Sequence, residues 1–145
     1  MRRNRKIGHA ESEADDELIA TVTLIQALQS EGKLAEAKRE VASAQPLVAK
    51  SQNTLVRLQF EIASARLVLV SDHPESSRAL LMQALKQTRA HGFVGMEYET
   101  RLSLAELDKK SGHGAEAKTA LNSLAAAARR KRYGLIARKA SAALR

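Results

Sequence analysis

The chain has 145 residues with no cysteine and no tryptophan; 44% are apolar and only 3% aromatic. The lack of cysteine excludes disulfides, thiol catalysis and cysteine-ligated metal sites, and it fits a reducing compartment. The net charge of +8 is confined to one end: from Ala117 onward there are eight basic residues and no Asp or Glu, and the preceding 116 residues hold 16 basic and 16 acidic side chains.

Met1 to Lys6 is basic like the start of a signal peptide, but it runs into Gly8, His9 and an acidic stretch from Glu11 to Glu17, with no apolar segment between. No apolar run is long enough to span a bilayer. The expectation is a cytoplasmic protein with no membrane segment. Residues 1–13 read as a flexible charged tail and residues 14–145 as the folded domain. In chain order, apolar spacing and breakers predict helices Ala14–Ser30, Leu34–Val48, Gln52–Val70, Pro74–Ala90, Val94–Ser111 and Ala115–Lys131, then a short Gly134–Leu144. Leu24, Ile25 and Leu28 share one helical face, as do Val41, Ala44 and Val48. Gly32 and Gly112 can adopt the left-handed backbone that ends a helix. Asp72 can cap the next helix, with Pro74 in its first turn and Glu75 three residues on.

These helices repeat. Gly32-Lys-Leu-Ala-Glu-Ala37-Lys38 returns 80 residues later as Gly112-His-Gly-Ala-Glu-Ala117-Lys118, and Asp72-His-Pro-Glu-Ser-Ser77-Arg78 lies midway. Val41, Leu81 and Leu121 align in the same register, as do Ala44, Ala84 and Leu124, and Phe93 with Tyr133. A forty-residue unit of two helices cannot cover its own apolar face, so pairs must stack, with small residues at matched positions letting the backbones approach. The expected fold is all-α: a right-handed solenoid of antiparallel helix pairs, about three repeats plus a C-terminal capping helix. The competing architecture is an ordinary antiparallel bundle of six or seven helices, against which the shared register speaks.

The series Gly32, Ala37, Val41, Ala44, and its counterpart Gly112, Ala117, Leu121, Leu124, resembles the tetratricopeptide-repeat (TPR) superfamily over residues 14–145. The second repeat departs, with Asp72 and Ser77 before Leu81 and Ala84, and the first-helix Trp and Tyr usual in the family are absent. Long repeats of this kind are similar to those at the C-terminal end of large bacterial signalling and transcription-activator proteins, and Tyr133 to Ala140 resembles their capping helix. The resemblance implies a non-enzymatic protein-interaction module, an adaptor or scaffold, whose first helices line a groove presenting Gln26, Gln29, Gln59, Ile62, Arg66, Glu99, Leu102, Glu106 and Lys109. The Lys/Asn set with which some members hold a peptide carboxylate is not matched there.

An enzyme would need a nucleophile, an acid–base pair, a metal site or a phosphate loop. His9, His73, His91 and His113 fall in the tail or at helix boundaries, and none pairs with a His or carboxylate at metal-ligand spacing. Gly92-Phe-Val-Gly95 lacks the spacing and the preceding strand of a nucleotide-binding loop. No catalytic residue, cofactor or metal is expected. The basic run Arg129-Arg130-Lys131-Arg132, followed by Arg138 and Lys139, is the sharper alternative. It could neutralise phosphates in a nucleic-acid-binding or transcription-regulatory accessory domain, with Tyr133 placed to stack on a base. The same residues also suit a solubilising cap, since cations at a helix C-terminus are stabilised by roughly 0.3–1 kcal/mol each. Leu18, Ile19 and Val22 have no preceding helix to cover them, so self-association through the N-terminal helix end, or docking of another protein there, is expected.

Overall fold

A computed structural model of the chain describes residues 2–68 and 73–145, with backbone alone for residues 2–11 and Val68. Among the described residues the fold is all α, without strands: α1 (Arg2–Ser30), α2 (Leu34–Lys50), α3 (Thr54–Val68), α4 (Pro74–Ala90), α5 (Val94–Lys110), α6 (Gly114–Arg130) and α7 (Gly134–Ala143). No described helix is long and apolar enough to cross a membrane. The chain divides into two compact units, residues 1–67 and 68–145.

In the first unit α1 packs on α2 across the short Glu31–Lys33 turn, and α3 closes the core. Leu18, Val22, Ile25 and Leu28 recur at helical spacing on α1 and meet Ala37 and Ala44 of α2 and Val56, Phe60, Ala63 and Leu67 of α3. Small Ala37 and Ala44, at most 1% exposed, allow that close approach. Two polar ties fix α3. Gln29 Nε2 donates to the Ala63 carbonyl at 3.0 Å. Ser51 Oγ donates to Asp15 Oδ1 at 2.5 Å and accepts from the Asn53 N–H at 3.2 Å. Asn53 then starts α3: its Oδ1 accepts from the N–H groups of Leu55 and Val56.

The boundaries differ from expectation where local chemistry was misjudged. Helical backbone begins at Arg2, so α1 covers the segment read as a tail. α2 runs two residues beyond the expected Val48, to Lys50, with Pro46 exposed. Asp72, expected to cap α4, lies outside the described residues; His73 occupies the cap position there without a side-chain hydrogen bond.

In the second unit α4, α5, α6 and α7 begin twenty residues apart, and each packs on the next. α5 is central, touching α4, α6 and α7. Its buried residues therefore face several ways, including Tyr98, Leu102, Leu104, Ala105 and Leu107. Tyr98, Leu102 and Ala105 join Leu121, Leu124 and Ala128 of α6 and Ile136 and Ala140 of α7 in one core.

One turn type joins these helices. Tyr133 N–H donates to the Ala128 carbonyl at 2.8 Å and Arg132 N–H to Arg129 at 3.1 Å, a Schellman motif. Phe93 to Thr88 with Gly92 to Arg89, and Lys33 to Leu28 with Gly32 to Gln29, repeat it, and His113 N–H reaches Asp108 in the same way. The motif needs a left-handed residue two positions past the helix, supplied by Gly32, Gly92 and Gly112 at φ between 70° and 84° and by Arg132 at φ 63°.

Arg132 carries a Cβ where that conformation strains an L-residue by roughly 1–2 kcal/mol. Arg132→Gly is expected to stabilise the second unit by up to about 1 kcal/mol, part of the relief being offset by the glycine's greater freedom when unfolded. Gly112→Ala is expected to lose about 1 kcal/mol through backbone strain alone, since an added Cβ there meets nothing within 4 Å. Urea-denaturation midpoints check both signs.

In the first unit, burial pushes the Glu61 carboxyl above its ordinary range, and Arg57 one turn back pulls it only partly down. The folded state thus holds that proton more tightly than the unfolded chain, so stability falls as pH rises from the ordinary carboxylate value through the raised one. Glu61→Gln is expected to raise the melting midpoint at neutral pH, with the gain fading as pH falls through the raised carboxyl value and gone below about pH 4. Melting curves of both proteins across pH measure this.

Candidate functional site

Two side-chain constellations stand out in the second unit. Between α4, α5 and the start of α6, Glu75, Arg78, Asp108, His113 and Glu116 line a cavity of about 280 Å³. Asp108 occupies the same place on α5 that Thr88 has on α4 and Ala128 on α6, where the backbone carbonyl receives the turn hydrogen bond. Its side chain is therefore carried inward, 13% exposed, and is neutralised by Arg78 Nε at 3.1 Å. That contact, with Asp108's charge, holds the Arg78 guanidinium pKa above its ordinary value. Among the described residues no three His, Cys, Asp or Glu side chains are grouped to hold a metal ion. Beside this cavity a groove of about 210 Å³ is floored by Met82, Leu85 and Leu104 and rimmed by Arg78, Arg89 and Arg101. Glu97 neutralises the rim, 3.1 Å from Arg89 and 3.9 Å from Arg101.

The second constellation is a cleft of about 590 Å³ between α6 and α7. Arg138 and Ser141 fall at i and i+3 on one side of α7, Arg145 lies just beyond the end of α7, and Arg129 faces them from the last turn of α6. Arg129 Nη2 donates to Ser141 Oγ at 2.9 Å, which holds one guanidinium over the cleft. Gly134, Ala137 and Ala142 are its small lining residues, and the Arg138 guanidinium lies beside Gly134. No acidic side chain lines this cleft, in contrast to the paired arginines beside α5. At the Gly134 end, α7 also lacks the first-turn Glu that α2, α4, α5 and α6 each carry.

The sequence-predicted residues distribute as follows. Gln26 is exposed on α1, and Gln59 and Arg66 are half-buried on α3, all in the first unit. Glu99 is exposed and Glu106 half-buried on α5 in the second unit. Lys109 Nζ donates to the Ala143 carbonyl at 2.6 Å, so it caps the end of α7. Leu102 and Ile62 are core residues at 2% and 5% exposure, and Gln29 is occupied by Ala63. Of the basic run, Arg129 and Arg138 come together in the cleft; Arg130, Lys131 and Arg132 are exposed along the end of α6 and its turn, and Lys139 is exposed elsewhere on α7. Tyr133 packs edge-on against Tyr98 at 5.3 Å, in the space left by Gly95. Sequence reasoning missed Ser141 and Arg145 as cleft residues, although the spacing of Ser141 from Arg138 was a readable signal. It also took Arg132 for one more surface cation; Gly92 forty residues earlier was the clue to its turn role.

Compared with protein-family models, with curated proteins and with solved structures, the chain matches none of them.

Arg78 is 45% exposed and Asp108 is not, so losing the cation harms more than losing the anion. Arg78→Met leaves an inward carboxylate unpaired and is expected to destabilise by about 1–2 kcal/mol after allowance for solvent at the arginine. Adding Asp108→Asn to Arg78→Met is expected to recover part of that loss. A double-mutant cycle in urea measures the coupling.

Proposed function

We propose that the chain is a non-enzymatic protein-interaction module, an adaptor or scaffold, built as a TPR-like solenoid of antiparallel helix pairs. The observation that carries this reading is the reuse of one turn between the helices from α4 to α7, and of one 17-residue helix length from α4 to α6, with each helix packed on its successor. Repetition of that kind favours extended surfaces that read another chain over a closed pocket around a small substrate. In such an array the first helix of each pair offers its free side to the partner. Glu99, Glu106 and Lys109 on α5, and Gln26, Gln59 and Arg66 in the first unit, are the polar contacts this reading assigns. The absence of cysteine suits a cytoplasmic setting, and the resemblance to the ends of bacterial signalling proteins suits a regulatory one.

A second reading, nucleic-acid binding, has one observation in its favour: the arginine cleft without acidic side chains beside Arg130, Lys131 and Arg132. Two measurements separate the readings. Peptides selected by display against the folded chain are expected to shift the backbone resonances of α5 and to lose affinity for Glu99→Lys/Glu106→Lys; selected peptides that leave α5 unperturbed would remove the groove. Anisotropy of labelled DNA and RNA is expected to show binding only at low salt. Binding at near-physiological salt that vanishes when Arg129, Arg130, Lys131 and Arg132 become Gln would put the nucleic-acid reading first.

A further inference from the structure

We infer that the arginine cleft of α6 and α7 receives the acidic face of α1 from a second copy of this chain, giving head-to-tail association. The inference rests on the reading of the chain as a protein-interaction module and names the partner.

The two surfaces are complementary in charge. On α1, Glu13, Asp16 and Glu17 are exposed, while Asp15 between them is occupied by Ser51. Spacings of three and four residues put those exposed carboxylates on one side of the helix. The cleft presents Arg129, Arg138 and Arg145 with no acidic side chain among its lining residues. No Asp or Glu follows Glu116, and five of the seven residues from Glu11 to Glu17 are acidic.

The shapes are suited as well. The core stripe of α1, Leu18 to Leu28, is turned inward. Beyond the carboxylates its outer side exposes Ala20, Thr23 and Ala27, with Ile19 at 46% and Leu24 at 44% exposure. An apolar outer side on a helix is a candidate contact surface. The small lining residues Gly134, Ala137 and Ala142 let a helix backbone approach closely, as the alanines of α2 let α1 approach inside the first unit. Leu135, 56% exposed on α7, adds apolar surface close to the rim. A nucleic-acid strand would use the guanidinium groups but gain little from the apolar surface; an acidic amphipathic helix uses both. Because the two faces differ, each copy can give one and receive the other, so the association is heterologous.

The test uses the full chain and two charge reversals at exposed positions. One variant is Glu13→Lys/Asp16→Lys/Glu17→Lys; the other is Arg129→Glu/Arg138→Glu/Arg145→Glu. Sedimentation velocity across protein concentrations is expected to show wild-type association that weakens with added salt, because exposed charge pairs are screened. Each variant alone is expected to associate roughly tenfold more weakly or less. An equimolar mixture is expected to regain association, since each variant supplies the sign the other lacks. Circular dichroism confirms that both remain helical. A second pair, Asp16→Asn/Glu17→Asn and Arg138→Gln/Arg145→Gln, replaces any reversal that fails to fold; each is expected to associate more weakly alone, and their mixture to recover a one-to-one complex, because the first keeps its cleft and the second its acidic face. A wild type that is monomeric at every concentration overturns the inference, and so does a mixture of folded reversals that stays monomeric. Loss of oligonucleotide binding in the arginine reversal, with a monomeric wild type, overturns it in favour of a nucleic acid. Monomeric behaviour with intact peptide binding on α5 overturns self-association and leaves the module reading standing.

Discussion

A left-handed residue two places beyond each of α1, α4, α5 and α6 is the constraint on which their packing depends. There the chain closes both hydrogen bonds of the Schellman motif after α1, α4 and α6, and the His113 to Asp108 bond after α5, satisfying carbonyls that a helix end would otherwise leave open. Reversal within three residues brings the following helix back along the preceding one. Equal helix lengths then make the same side chains meet at each step: Leu85, Ala105 and Ala125 are each twenty residues apart and all buried. The first unit leaves this rule after α2, where Ser51 and Asn53 make the turn with side chains instead of a left-handed residue.

Centrality explains why α5 carries polar residues in its interior. A helix with neighbours on three sides has no dry face and wet face to separate. Thr100 and Ser103 are fully buried, and their hydroxyls donate to the carbonyls of Met96 and Glu99 one turn back, so no partner from outside the helix is required. Asp108 has no such local solution and takes Arg78 from α4. That ion pair selects one register of α4 against α5, because a one-turn slip would leave a carboxylate inside without its cation.

Charge follows the chain more than the core. Every arginine around α5 that rims the groove has a carboxylate opposite it, whereas no acidic side chain lines the cleft between α6 and α7. The concentration of positive charge there is sharpened by α7, which starts without the glutamate that α2, α4, α5 and α6 place in their first turns. Ser141 is the local counterweight: a hydroxyl orients Arg129 without neutralising it. An arrangement of that kind keeps its charge available to an anionic surface.

The all-helical class and the turns at Gly32 and Gly112 were determined by the sequence alone, because glycine at a left-handed position and a forty-residue register are local and periodic signals. The charged end was equally legible, being a property of composition. What tertiary structure decided was which members of each set meet. The family resemblance implied Leu102 as a groove residue, but three neighbouring helices put it in the core. Arg129 and Arg138 were adjacent cations among several until the α6–α7 turn folded them over one cleft with Ser141 and Arg145. Lys109 became a cap only because α7 ends beside it. A sequence specifies the period and chemistry of each helix; contacts between helices depend on the crossing that packing selects, and that crossing exists only once the helices are in place.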